Sequence, residues 1–299
     1  MRKSFFAGMF GILLTLPHPS AATEESAEAF FKAGLKREAS ARLEKALAHE
    51  LSKRLYNVEV SITEIDPHAL EFSIITVQPF LDDMEAGRAG FVQASLFAFD
   101  HRKTLNLGLG YRALLSDNMV IAGLNVFYDH ELEQEHQRAG VGGEILTGVG
   151  DMRFNYYHAI SSERTGPDDA KERALDGWDA ELALPLPYMP TTRATAQLFK
   201  WDGLEGRTDI EGETYSLRSE LPYGLIVEAG RTDYDGARET QDFITISWTM
   251  TAHRDTPRPF FADKAYALYD ISDRRFEKVR RENKIIKQAV GFGILVSGF

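Results

Sequence analysis

Apolar and polar residues alternate with a period of two through most of residues 57–252. In one such stretch Leu105 and Leu107 lie on one face, and Asn106 and Gly108 lie on the other. Because successive side chains of a β-strand point to opposite faces, each stretch predicts a strand with one apolar and one polar face. Turn residues divide the stretches into twelve candidate strands, near 57–65, 70–80, 87–99, 103–114, 119–130, 136–146, 151–161, 177–186, 192–201, 212–221, 224–234 and 240–251.

Strand length and connection length favour a membrane β-barrel over a soluble sandwich, although alternation alone fits both. Several candidate strands reach about 10–13 residues, the length that a tilted strand needs to cross a bilayer. If the first strand starts in the periplasm, the periplasmic turns near 116–118, 147–150 and 222–224 are short. The connections on the opposite side, near 162–176 and 202–211, are longer and charged, as they are in outer-membrane barrels.

Aromatic residues lie mostly near the ends of the candidate strands, where membrane barrels place their interfacial girdles. They are Tyr111, Phe127, Tyr128, Tyr156, Tyr157, Trp178, Tyr188, Trp201, Tyr223, Tyr234 and Trp248. The sequence therefore predicts an all-β fold, a twelve-stranded antiparallel transmembrane β-barrel with an apolar exterior in lipid and a polar interior in water.

The start of the chain has the pattern of an export signal. Arg2 and Lys3 precede an apolar run, Phe5–Leu16, and small residues at 20–22 suit a cleavage site, so residues 1–22 are predicted to be a signal peptide. Residues 23–56 predict a short periplasmic amphipathic helix, because leucines recur every four residues between charges. The barrel follows over 57–252, and a C-terminal tail occupies 253–299.

Composition narrows the class of protein further. The mean hydropathy of −0.28 and the lack of any apolar run of about 18 residues exclude a bundle of membrane helices. A formal net charge of −11 argues against a nucleic-acid partner. With no cysteine, the exported chain has no disulfide framework. Export and barrel together predict the outer membrane of a Gram-negative bacterium, with its lipid and lipopolysaccharide as partners.

Several segments resemble the β-domain of inverse autotransporters, the intimin and invasin family, over about residues 57–288. In the family, the chain returns through the pore after a twelve-stranded barrel and carries an adhesive passenger to the cell surface. The resemblance also implies insertion by the barrel-assembly machinery with periplasmic chaperones. The segments that resemble the family are Leu105–Arg112 (LNLGLGYR), Asn125–Glu144 (NVFYDHELEQEHQRAGVGGE), Asn155–Ser161 (NYYHAIS), Gly177–Leu182 (GWDAEL) and Arg275–Ile286 (RFEKVRRENKII).

This sequence departs from the family pattern after its last matching segment. Only eleven residues, Ala289–Phe299, follow the stretch that resembles the pore-threading linker. We therefore expect a translocator or anchor domain of the inverse-autotransporter type without a passenger of its own. A separately encoded passenger is a further expected partner.

The inward face of the barrel and the C-terminal tail carry charges that can pair. About fourteen extended residues at ~3.3 Å each cross a membrane of ~40–45 Å, so a stretch such as 274–288 is long enough to thread the pore and close it. A loose basic tail in the periplasm is the alternative. The predicted pore-lining residues are Arg112, Arg138, Glu144, Arg153, Asp179, Glu181, Arg218, Glu220 and Glu228, and the predicted threading residues are Arg274, Arg275, Lys278, Arg280, Arg281 and Lys284.

Two other functions fit parts of the sequence. A small porin would have an open pore and would conduct ions at full length. A lipid-acting enzyme would need a nucleophile, and His158 with Ser161 or Ser162 is the nearest pair, but no third partner is apparent. The sequence therefore predicts no catalytic residue and no cofactor.

One loop is rich in residues that bind metals elsewhere. It contains no H-E-x-x-H motif, so a solvated acidic hairpin is favoured over a divalent-cation site, and no metal is predicted. The residues concerned are His130, Glu131, Glu133, Glu135 and His136.

Overall fold

The computed structural model describes residues 56–65, 69–167, 169–236, 238–251 and 259–290. The predicted signal peptide, 1–22, and all but the last residue of the predicted helix, 23–56, lie outside the described residues. Of the predicted tail, 253–299, the part from 259 to 290 is described. Within the described part of the chain, no helix has the length and apolarity needed to cross a membrane.

Twelve antiparallel strands form a closed barrel, because the first strand pairs with the last. The twelve are β1 (Asn57–Ile65), β2 (Ala69–Asp83), β3 (Arg88–Phe99), β4 (Arg102–Leu115), β5 (Val120–Glu131), β6 (Gln137–Thr147), β7 (Asp151–Ala159), β10 (Gly177–Leu186), β11 (Met189–Trp201), β12 (Ile210–Glu220), β13 (Leu225–Tyr234) and β14 (Gln241–Thr251). A separate three-stranded sheet contains β8 (Arg164–Thr165), β9 (Lys171–Ala174) and β15 (Lys287–Ala289), and short 3-10 turns cover Pro222–Gly224 and Ser272–Arg274.

Burial follows the alternation of the sequence. Leu107 on the outer face of β4 is 58% exposed, whereas its neighbour Asn106 on the inner face is 3% exposed. An apolar exterior and a polar interior are what a barrel in lipid requires, since its outer surface meets hydrocarbon. The predicted fold, a twelve-stranded antiparallel barrel, is confirmed.

The connections differ between the two ends of the barrel. At one end, called here the short-turn end, the hairpins at 116–119, 148–150 and 187–188 are tight. At the other, called the long-loop end, the connections at 160–176 and 202–209 are longer, and β8 and β9 lie in the first of them. The predicted asymmetry is present, with the two-residue turn at 100–101 as an exception at the long-loop end.

One strand runs further than the sequence indicates. The second strand was predicted near 70–80, but β2 continues to Asp83. The pairing of β2 with β3 shifts between Pro79 and Leu81, so a bulge accommodates the proline within the strand.

The predicted aromatic girdle is wrong for four of its residues. Phe127, Tyr157 and Trp201 are buried in the interior, at 5%, 0% and 2% exposure, and Tyr234 packs beside the last two. Phe127 and Tyr157 each stand beside another aromatic residue, Tyr128 and Tyr156, that faces outward. Because adjacent side chains of a strand point to opposite faces, only one ring of each pair can face lipid.

Neighbouring glycines of β6 allow a matched test of interior packing. A Cβ atom at Gly142 would lie 2.4 Å from Asn155 Oδ1, whereas one at Gly143 on the outer face would meet nothing closer than 3.7 Å. We expect Gly142→Val to lower the free energy of unfolding by about 1–3 kcal/mol through overpacking. Gly143→Val should change it by less than about 0.5 kcal/mol, as surface substitutions do. Urea unfolding in vesicles measures both, and equal effects would contradict the assigned faces.

Candidate functional site: the barrel interior and the C-terminal segment

The C-terminal segment, defined here as residues 259–290, begins at the short-turn end. The backbone N–H of Ala262 donates to the carbonyl of Tyr188 at 2.9 Å, in the hairpin between β10 and β11. The N–H of Ile271 donates to the carbonyl of Asn118 at 2.9 Å, in the hairpin between β4 and β5. Residues 262–271 therefore lie along this end of the barrel.

The same segment ends at the long-loop end. Its strand β15 pairs antiparallel with β9, and Lys287 lies opposite Ala174. The pairing extends on both sides, because the N–H of Leu175 donates to Ile286 O at 2.9 Å and that of Val290 donates to Lys171 O at 2.6 Å. Some fifteen residues separate the contacts at the two ends.

Two buried arginines of the segment form bidentate ion pairs with inward carboxylates. Arg281 donates to both oxygens of Asp129 on β5, each at 2.7 Å, and both side chains are almost fully buried. Arg274 donates to both oxygens of Asp151 on β7, at 2.8 and 2.7 Å. Bidentate, charge-assisted pairs of this kind are among the strongest polar contacts in proteins and fix the geometry of both partners.

Inward side chains also hydrogen-bond to the segment's backbone. A backbone carbonyl that is buried without a partner costs free energy. These donors therefore hold the segment in place in addition to the ion pairs. The donors include Arg112, to the carbonyls of Arg274, Arg275 and Glu277 at 3.3, 2.9 and 2.7 Å, Asn57, to Phe276 at 3.1 Å, Asn155, to Arg280 at 3.2 Å, Arg138, to Glu282 at 2.7 Å, and Asn106, to Asn283 at 3.0 Å.

Interior aromatic rings complete the pocket around Arg281. Its guanidinium carbon lies 4.3 Å from the centre of the Phe127 ring and 5.2 Å from that of Tyr157. The Tyr157 hydroxyl donates to Asp179 at 2.5 Å and accepts from the backbone N–H of Glu282 at 2.7 Å. These rings were assigned to the girdle from sequence, and instead they supply cation–π contacts to the segment.

The structure brings most of the predicted charges together. Among the predicted threading residues, only Arg275 makes its ion pair outside the interior, with Asp82 at the short-turn end, where both of its bonds are 2.8 Å. Five of the predicted pore-lining residues contact the segment: Arg112, Arg138, Arg153, Glu181 and Glu228. The other four contact the wall instead. Glu144 pairs with Arg112, Asp179 with Tyr157 and Arg218 with Glu228, and Glu220 lines a cavity beside Arg218.

Sequence reasoning missed five inward carboxylates that contact the segment. Each has the same strand phase as the predicted pore-lining residues, so the alternation itself was the signal that could have found them. They are Asp129 and Asp151, Glu59 with Lys278, Glu71 with Lys284 at 2.8 Å, and Glu131 with Lys287.

The candidate Ser–His pair has a different arrangement from the one that the sequence suggested. His158 contacts Asp176, at 3.2 Å, and not Ser161. Ser161 lies 3.2 Å from Nδ1 of His136, whose Nε2 lies 3.1 Å from Glu172. The Ser161 hydroxyl also accepts a backbone N–H at 3.1 Å. These bonds join the long loop to the start of β6, so they have a structural explanation.

A buried cluster of charges fastens the mouth of the barrel at the long-loop end. Glu131 contacts both Arg102, at 2.7 Å, and Lys287 of the segment. Arg102 also makes two bonds to Glu172 on β9, at 2.8 and 2.9 Å. Burial alone would raise the pKa of Glu172, but hydrogen bonds from His136 and Arg102 outweigh it and lower that pKa to about 2.

The lowered pKa predicts how the mouth responds to acid. A carboxylate with a depressed pKa stabilises the fold fully above its ordinary value of about 4.3, and this stability is lost as the pH falls towards about 2. We expect pepsin to cleave the 160–176 loop slowly at about pH 4 and much faster near pH 2. Glu172→Gln should be cleaved quickly at both. A wild-type profile identical to that of the variant would contradict the role of Glu172.

Comparison with known proteins agrees with this architecture. The profile of the inverse autotransporter β-domain matches residues 13–255. Intimin from Escherichia coli O111:H- is 31% identical over 237 residues, which are 74% of this chain and 24% of intimin. Invasin from Yersinia enterocolitica is 27% identical over 159 residues, 51% of this chain and 19% of invasin.

A solved structure from work on the in-meso crystallization of membrane proteins has the same fold. It is 21% identical, with a TM-score of 0.66, and the match covers 78% of this chain and 99% of the solved one. The chain spans less than half the length of the curated relatives that it matches. Since the profile covers most of the sequence, the chain belongs to the inverse autotransporter β-domain family.

Proposed function

We propose that the C-terminal segment passes through the lumen from the short-turn end to the long-loop end, which makes this barrel a translocator and anchor domain whose pore is filled by its own chain. The observation that carries the proposal is the order of contacts along the segment. Ile271 contacts a short turn, Arg274 and Arg281 contact inward carboxylates, and Lys287 pairs in the sheet at the long loops.

The length of the segment agrees with a crossing. Thirteen residue steps separate Arg274 from Lys287, and at ~3.3 Å each they span about 43 Å when extended. A membrane with its interfacial regions is ~40–45 Å thick. The segment needs no helix or fold-back to reach from one side to the other.

The contacts of the segment support the proposal that it closes the pore. Its cations meet carboxylates on β1, β2, β5, β7, β10 and β13, so contacts surround it. We propose an outer-membrane location, with export by the N-terminal signal and insertion by the barrel-assembly machinery and periplasmic chaperones. Lipid and lipopolysaccharide would contact the exposed leucines. In this role the protein positions a polypeptide at the cell surface and catalyses no reaction.

An epitope tag fused after residue 299 tests the direction of the crossing. We expect antibody to bind this tag on intact cells. A tag inserted at Tyr223, 92% exposed at the short-turn end, should bind only after the cells are permeabilised. A tag in the 160–176 loop should bind on intact cells. A terminal tag that follows the Tyr223 pattern would contradict the proposal and favour a tail in the periplasm.

A further inference from the structure

Ion pairs surround the segment, but the backbone of residues 279–283 is held by one side of the interior. The described hydrogen bonds from barrel side chains to the backbone of 279–283 come from β3, β4, β6 and β7. We call the interior of β3–β7 the fastening wall. Its polar residues are tightly covered, and Asn106 and Asn155 are each 3% exposed.

The opposite side of the interior has short hydroxyl side chains that bond to one another. We call the inward residues of β12–β14 and β1 the hydroxyl wall. Thr214 bonds Thr232 at 2.9 Å, and Thr63 bonds Thr245 at 2.9 Å, so these hydroxyls pair across strands. All four residues are half-buried, in contrast to the fastening wall. Ser61 and Ser247 of the same wall are buried, so the segment leaves more space beside the four threonines.

Two cavities lie along the hydroxyl wall, one in each half of the barrel. The cavity towards the long-loop end has a volume of about 120 Å³ and is bordered by Thr214 and Thr232. The cavity towards the short-turn end has a volume of about 60 Å³ and is bordered by Glu59 and Arg218. Both have polar groups in a mixed lining and exceed the ~10–15 Å³ that one water molecule needs, so both can hold water.

A single layer of ion pairs separates the two cavities. Along β12, Thr214 borders one cavity and Arg218 the other, and Ser216 is the one inward residue between them. Ser216 donates to Glu228 at 2.7 Å. Glu228 in turn lies 3.2 Å from Arg280 and 3.6 Å from Arg218.

We propose that the hydroxyl wall forms a narrow path for small ions, closed by this one layer of ion pairs centred on Arg280. The inference rests on the proposed function, because only a segment inside the lumen can supply Arg280 to the layer. Arg280 also donates to Glu181 at 3.0 Å, and Lys278 of the segment contacts Glu59 beside it. The layer joins Arg218, Lys278 and Arg280 with Glu59, Glu181 and Glu228, and Arg153 of β7 also contacts Glu181, at 2.6 Å.

The mixed charge of the layer predicts that opposite substitutions open the path and shift its selectivity in opposite directions. Arg280→Gln removes one positive charge from the layer, so the opened path should favour cations more. Glu228→Gln removes one negative charge, so its path should favour anions more. Rings of fixed charge determine ion selectivity in narrow pores in this way.

Planar-bilayer recordings in a KCl gradient test the proposal on the full-length protein. We expect no conductance steps from the wild type. Arg280→Gln and Glu228→Gln should each give steps, and the reversal potential should indicate more cation selectivity in Arg280→Gln than in Glu228→Gln. Arg275→Gln is the matched control, because it breaks an ion pair of the same segment at the short-turn end and should stay closed. A heat-dependent gel shift checks that each barrel is folded.

The outcomes separate this inference from the proposed function. A wild type with large, steady steps would overturn the proposed sealing, and the ion path with it. A closed wild type that opens only when the segment is deleted, with both variants still closed, would overturn the ion path and leave the sealing intact. Equal reversal potentials in the two variants would also overturn it, because they would indicate general loosening of the segment.

Discussion

Replacing Asp129 with asparagine is expected to lower the free energy of unfolding by about 3–5 kcal/mol, a larger loss than most single substitutions cause. Asp129 is fully buried and accepts from Arg281 at 2.7 and 2.7 Å and from Arg138 at 2.8 Å. The amide has nearly the same shape but no charge, so two buried guanidinium groups lose their shared counter-charge. Removing one partner of a buried ion pair is costly because the remaining charge cannot be hydrated.

Asp242→Asn provides a matched control for this loss. Asp242 forms a bidentate pair with Arg231 at 2.7 and 3.0 Å, but both side chains are more than half exposed. Exposed pairs contribute only about 0–1 kcal/mol, so unfolding in urea should change little. If the two variants lost equal stability, burial would not explain the contribution of Asp129 to the free energy of unfolding.

Deleting residues 259–290 is expected to convert a closed protein into an open channel. Without the segment, the twelve-stranded lumen loses its central chain and the inward charges face water. Planar-bilayer recordings should then give large steps of uniform size where the full-length protein gives none. The strands themselves pair round a closed ring that does not include the segment, so the barrel should remain folded.

Adding the missing segment back tests whether its sequence matters. A synthetic peptide with the sequence of 271–290 should reduce the conductance of the deleted protein. A peptide with the same composition in scrambled order should not, because it cannot match each cation to its carboxylate. A deleted protein that stays closed would mean that other parts of the chain fill the pore.

The alternation of the sequence was enough to predict all twelve barrel strands. The physical reason is that a strand in lipid needs an apolar residue at every second position, as in Leu105 and Leu107, so the pattern and the fold have one cause. Strand ends were predicted less well. The second strand was predicted to end near residue 80, but its pairing with β3 continues to Asp83 through a bulge after Pro79.

The partners of the segment could not be predicted in the same way. Strand phase establishes that Asp129 and Asp151 face inward, but not which cation each meets. That choice depends on the tilt and stagger of the whole barrel, which decide the depth at which Arg274 and Arg281 reach the wall. The inward rings of Phe127 and Tyr157 were assigned to lipid for a related reason, since both lie beside aromatic residues that do face it.

Photo-crosslinking tests the path of the segment through the lumen most directly. Benzoylphenylalanine at Phe276, whose ring lies 6.4 Å from Phe91, should crosslink to the β3 peptide in living cells. The same probe at Ile286, packed with Tyr157 and Trp201, should crosslink to β7 or β11 at the opposite end. Crosslinks to periplasmic proteins at both positions, with none to the barrel, would contradict the account.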